Sequence, residues 1–289
     1  MIRLCLPYRK KLYLIFLVLL ILTFNSGSPS QHNVILLGRF EKNIVEPLFI
    51  YQNGIFKSAS VVEENPDINK SILTQFKTLY LYSKSSDYAG QAEIEKITVI
   101  EVGCVRKVVG KLKNADAEKS GFCFNLPIPQ KKFYKETVFS RADTILALNF
   151  AYQIINNFIK YNNLKLKINS FEVENLAKFD FNDDDNLELF AKIKANIIDM
   201  SEEGNYILTS FIISSNQIAF LSTTYIDLYG ETIAGDHYTI DFEFACDVDA
   251  DSIAEVVVIV GYYESWGYKI LKFYRNRFIE IATADGGGC

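Results

Sequence analysis

Apolar and polar residues alternate along most of the second half of this chain, and a period of two restricts those stretches to strands with one buried face. Leu164, Leu166 and Ile168 interleave with Lys165 and Lys167. Leu187, Leu189, Ala191, Ile193, Ala195 and Ile197 interleave with Glu188, Lys192, Lys194 and Asn196. Comparable runs recur at 206–213, 218–223, 238–244, 256–260, 268–274 and 278–282, the regular spacing of an antiparallel β architecture. In the first half, Asn53-Gly54 between apolar runs has the composition of a two-residue hairpin turn, and strands are expected at 79–82 and 94–102. The segment 110–119, rich in lysine, alanine and acids, reads as a solvated turn region. One amphipathic helix is expected, with Ser140 as N-cap and Asp143 three residues on. Its apolar stripe, Ile145, Leu148, Ala151, Ile155, Phe158 and Ile159, would cover a sheet. The fold class is therefore mainly β, with antiparallel sheets and one amphipathic helix.

The N-terminus sets the compartment. Arg3, Arg9, Lys10 and Lys11 precede an apolar stretch from Leu12 to Phe24 that ends in Ser26-Gly27-Ser28-Pro29-Ser30, the order of a secretory signal peptide. Two outcomes stay open, cleavage before Gln31 or retention as an N-terminal anchor, and in both the remainder faces the periplasm or the exterior. An anchor would be the chain's sole membrane element. Without residues 1–30 the chain keeps 26 basic against 35 acidic residues, a formal charge of −9 that argues against nucleic acid as a partner. Cys104, Cys123, Cys246 and Cys289 remain, and an even count in an oxidising compartment points to two disulfides. The expected pairs are Cys104 with Cys123 and Cys246 with Cys289. Pro127-Ile128-Pro129 marks a boundary between a β-rich unit at 31–130 and the helix plus its following strands at 131–289.

One acidic pattern occurs twice. Asp180, Asn182, Asp184 and Glu188, then Asp247, Asp249, Asp251 and Glu255, stand at positions one, three, five and nine of a turn, each copy followed by a strand. Calcium takes six to eight oxygen ligands, so carboxylates on alternate residues of a tight turn are suited to converge on one ion, and without a cation they would repel. Position seven, Asn186 or Ile253, would add a backbone carbonyl. An EF-hand is excluded, because its position twelve would be Ala191 or Val258 rather than glutamate, and no helix follows.

The stretches from Phe179 to Leu189 and from Cys246 to Val256 resemble the FG-GAP and VCBS-like calcium-loop repeats found in integrin-alpha-type β-propeller blades and in many secreted bacterial proteins. The resemblance covers about residues 170–289. It implies propeller-blade-like repeats in the C-terminal half, with a structural calcium in each loop. That group usually carries glycine at positions four and six, whereas Asp183, Asp185, Ala250 and Ser252 stand there in this chain, which predicts backbone strain in the second loop.

Catalytic signals are sparse. His32 and His237 are the only histidines, and no phosphate loop or nucleophile elbow occurs, so no catalytic residue is assigned. Glu264, in a glycine-bounded aromatic turn with the single tryptophan, Trp266, is the one acid that invites inspection for glycan chemistry. Two functions are carried forward. The first is an exported, calcium-stabilised β scaffold that binds a protein or glycan without catalysis. The second is an exported hydrolase acting on glycan or peptide. A concave pocket with two facing carboxylates near Glu264 would favour the enzyme, and a filled turn the scaffold.

Overall fold

A computed structural model describes residues 34–59, 66–84, 87–115, 119–127, 139–182, 184–198, 204–227, 232–235, 239–262 and 264–288. The expected leader, Ile128 and Pro129 of the expected boundary, both histidines and Cys289 lie outside the described residues.

The first seven strands are β1 (Ile35–Glu41), β2 (Ile44–Gln52), β3 (Ile55–Ser58), β4 (Thr78–Ser83), β5 (Tyr88–Val102), β6 (Val105–Lys113) and β7 (Ser120–Phe124). Asn53 and Gly54 take φ of 56° and 79°, so the expected hairpin joins β2 to β3. The order β1-β7-β4-β5-β6-β2 closes on itself because β1 also pairs with β2, giving a six-stranded antiparallel ring with β3 attached to β2. Leu36, Phe40, Val45, Leu79, Leu81, Ala92, Val108, Leu112 and Cys123 form one core within that ring, and Leu73 of a short helix, α1 (Pro66–Gln75), joins them.

This corrects the reading of 110–119 as a solvated turn. The strand β6 runs through Lys113, with Leu112 buried and Lys111 and Lys113 exposed. A side chain on Gly110 would meet Val45 Cγ1 at 2.8 Å, so glycine there leaves room for the side chain of its cross-strand partner on β2.

The second half begins with α2 (Arg141–Tyr161). Ser140 and Asp143 form the expected capping box, each side chain bonding the other's backbone N–H. The buried line is Ala147, Ala151, Ile154 and Ile155, with Leu148, Phe158 and Ile159 packed beside it, so the expected stripe covers the sheet except at Ile145, which is exposed. The two alanines let it lie close to Leu189, Ala191, Ile193 and Phe211.

Two antiparallel meanders follow. The first is β8 (Lys167–Phe179), β9 (Glu188–Ile198), β10 (Tyr206–Ser214) and β11 (Gln217–Ile226), extended at its edge by β12 (Thr232–Gly235). The second is β13 (Thr239–Cys246), β14 (Glu255–Gly261), β15 (Ser265–Tyr274) and β16 (Arg277–Gly288). The second sheet is buried on both faces. Val256, Val258 and Val260 pack toward Phe179, Phe190 and Ile212 of the first meander, and Val257 packs with Phe49, Phe122 and Phe124 of the ring. The result is four layers: ring, four-stranded sheet, five-stranded sheet, helix. The expected mainly β, antiparallel class holds, with α1 as a second helix that the sequence reading did not anticipate.

Neither expected disulfide forms. Cys123 and Cys246 are free and buried, the first inside the ring and the second between ring and sheet. The hairpin carrying Cys104 instead meets the last strand: Gly103 bridges Gly288, and the Cys104 N–H donates to the Gly288 carbonyl at 2.9 Å.

Two predictions follow from this packing. Phe244 stacks on Phe122 at 4.6 Å and is 2% exposed, so Phe244→Ala should destabilise the protein by about 3–5 kcal/mol in urea unfolding. Burial pushes the thiols of Cys123 and Cys246 well above their ordinary value, so a thiol reagent at neutral pH should leave both unmodified in native protein and label both after denaturation, as read by peptide mapping.

Candidate metal loops

Both acidic turns connect the first strand of a meander to the second, and both are built from the same hydrogen bonds. In the turn between β8 and β9, Asp180 accepts the N–H groups of Asp184 at 3.1 Å and Asp185 at 3.0 Å. In the turn between β13 and β14, Asp247 accepts those of Asp251 at 3.1 Å and Ser252 at 2.9 Å. Position five then accepts the N–H of position seven, Asn186 to Asp184 at 2.8 Å and Ile253 to Asp251 at 2.9 Å. Position nine reaches back to position two, where Glu188 accepts the Phe181 N–H at 3.2 Å and Glu255 the Val248 N–H at 2.8 Å. Both glutamates are buried, at 2% and 0% exposure. The alternate spacing thus serves the turn itself, because the first aspartate closes the backbone and the glutamate ties it to the next strand.

The two turns touch. The Ala254 N–H of the second donates to the Phe181 carbonyl of the first at 2.6 Å. Phe181 also packs against Phe273 and Phe278 of the other meander, with ring centroids at 4.5 and 4.9 Å. On the far side, Val248 packs with the ring, and Tyr51 of β2 lies close enough to Asp249 that, after burial, that charge helps raise its hydroxyl above the usual range.

Backbone strain appears where the resemblance would place glycine. Asp185, Ala250 and Ser252 have φ of 63°, 60° and 71°. Asp183 lies outside the described residues. Ala250 is exposed, so Ala250→Gly should relieve a left-handed backbone at no packing cost. Set against the added freedom of the unfolded chain, the net gain should be about 0.5–1 kcal/mol, seen as a raised melting midpoint.

What neutralises each turn differs. Asp247, Asp249 and Glu255 bring carboxylate oxygens within 4.8 Å of one another, and the Lys272 ammonium sits among the acids of this turn. Its nitrogen lies 2.6 Å from Asp249, 2.9 Å from Asp251 and 2.8 Å from Glu255. Burial opposes a charged lysine there, but hydrogen bonds to the three carboxylates win and hold its pKa above the ordinary value. Asp249 Oδ1 is buried and has no hydrogen-bond partner among the described residues.

In the first turn the matching place is taken by Ser214, whose hydroxyl donates to Glu188 at 3.3 Å. Burial, together with the negative charges of Asp184 and Asp180, pushes the Glu188 carboxyl up to about 7, against the pull of the Phe181 N–H. Asn182 bridges to Asp184 at 3.1 Å through its amide. Oxygen donors from Asp180, Asn182, Asp184 and Glu188 suit a hard divalent ion, and none of these acids meets a lysine or arginine among the described residues. Among the described residues, the carboxylates that lie close enough together to share a metal ion are Asp247, Asp249 and Glu255 of the second turn, and those of the first turn form no such group. In that second turn an ammonium occupies the place where the acids converge. The expected ligand carbonyls of Asn186 and Ile253 belong to residues whose N–H groups fix the turn.

Lys272 was missed by sequence reading, though a signal existed. Counting back from the pair Gly261 and Trp266, antiparallel register sets Glu255 opposite Lys272.

The other candidates fare differently. Trp266 is not a free aromatic platform: it lies under the buried Lys107 ammonium at 4.9 Å, meets Tyr268 edge-on at 5.4 Å, and leaves no space for a side chain at Gly286. Glu264 sits exposed beside this filled corner. A cleft of about 370 Å³ is lined in part by Asp241 and Glu243, yet each carries a lysine, Lys192 at 2.9 Å and Lys84 at 2.6 Å.

No known protein family, curated protein or solved structure matches the chain.

Proposed function

We propose that this chain is an exported β scaffold stabilised by calcium, which works by binding a protein or glycan rather than by catalysis. The observation that carries the reading is the duplicated turn, with equivalent hydrogen bonds around a buried glutamate in both copies. In the first copy the acids have no basic partner among the described residues, and Asp180, Asn182, Asp184 and Glu188 would hold the ion. Calcium would supply positive charge to a carboxylate set that burial otherwise disfavours, and so fix the β8–β9 connection against the neighbouring meander. The resemblance to FG-GAP and VCBS-like loops supports the same reading, as does the leader at 1–30 for export. The filled Trp266 corner and the lysine-paired carboxylates of the cleft weigh against the hydrolase.

A thermal melt with calcium and with chelator tests this. At a hundred times its dissociation constant, calcium should stabilise by about 2.7 kcal/mol, raising the midpoint by several degrees. Asp184→Asn keeps an acceptor for the Asn186 N–H and removes one charge, so it should shrink the calcium response while leaving the chelator midpoint near that of the parent. A parent midpoint indifferent to calcium would end the proposal.

A further inference from the structure

The two turns share a backbone and differ in what faces the buried glutamate. Register sets Lys272 of β15 opposite Glu255, and it sets Ile213 of β10 opposite Leu189, so that Ser214 next to it faces Glu188. An ammonium offers three hydrogens, and three carboxylates of the second turn take up the Lys272 nitrogen at 2.6, 2.9 and 2.8 Å. A divalent ion entering there would confront a fixed positive charge and lose ligands already engaged. Asp249 Oδ1, buried and without a partner, is the one oxygen of that cluster left over, which is too few for a calcium shell.

We propose that Lys272 is the resident cation of the second turn, standing where a divalent ion would stand in the first, so that the chain takes up one calcium and not two. This rests on the calcium reading of the first turn. The arrangement suits the place of each turn. The second is wedged between ring and sheet, with Val248 in the shared core and Tyr51 beside Asp249. A cation tethered to β15 cannot dissociate, so that joint holds at any calcium level. The first turn contacts the second through Phe181 and Ala254 and takes its cation from solution.

Equilibrium dialysis of the purified protein against calcium chloride counts the ions. The parent should bind one per chain. Lys272→Ser, which copies the first turn, should bind two, and Lys272→Ala likewise; both should melt lower than the parent in chelator and recover in calcium. A folded Lys272→Ser that still binds one ion would overturn the inference, as would two ions on the parent. Parent protein binding none while Lys272→Ser binds one would sink the calcium reading of the first turn and leave the lysine inference standing. If both variants are unfolded in calcium and in chelator alike, by circular dichroism, the turn does not accept calcium in the lysine's place and the inference falls.

Discussion

Burial of the four-stranded sheet on both of its faces is the constraint on which the remaining layers depend. The run Val256-Val257-Val258-Ile259-Val260 sends alternate side chains to the five-stranded sheet and to the ring, so neither neighbour can be removed without exposing a row of valines. Such double burial explains why this strand reads as continuously apolar while β8, at a sheet edge, alternates. It also explains the bulge in β13. The register shifts between Phe242 and Phe244, which turns Phe242 toward one neighbour and Phe244 toward the other, and leaves Glu243 to reach Lys84.

A second constraint is electrostatic. Each meander begins its second strand with a fully enclosed glutamate whose one oxygen is spent on a backbone N–H two residues into the preceding turn. Burying a carboxylate in that way is costly unless positive charge is near. The two copies differ in what faces that glutamate, a lysine from the neighbouring strand at Glu255 and a serine hydroxyl at Glu188. Duplication of the turn therefore does not extend to the group that faces its glutamate.

Much of this was legible in the sequence, because it rests on local rules. Alternating or continuously apolar runs located β9, β10, β11 and the strands of the second meander, whereas most of β8 and all of β12 went unread; Asn53-Gly54 gave the β2–β3 hairpin, and Ser140 with Asp143 gave the helix start. The acidic spacing pointed to two equivalent turns, and the hydrogen bonds of both agree. Features set by distant pairing were not legible. Closure of the ring depends on β1 meeting both β2 and β7, with a register shift at Leu37/Gly38 that no local pattern announces. The stripe of α2 was legible except at its start, where Ala147, weakly apolar by composition, is buried against the sheet and Ile145 is exposed. Cysteine spacing suggested a local bridge, but β7 carries Cys123 into the ring interior while Cys104 stays at a hairpin tip. Lys272 belongs to the same class, since its role appears only when β14 and β15 are paired.

Lys107 of β6 is 1% exposed, and its ammonium is held by Glu46 of the ring and by the Gly286 carbonyl of β16, 179 positions away. Without that final strand the ring would hold a buried ammonium that has lost one of these two partners, so the ring and the central sheet share one buried charge. Contacts between residues so far apart in sequence are the kind that slow the folding of β topologies.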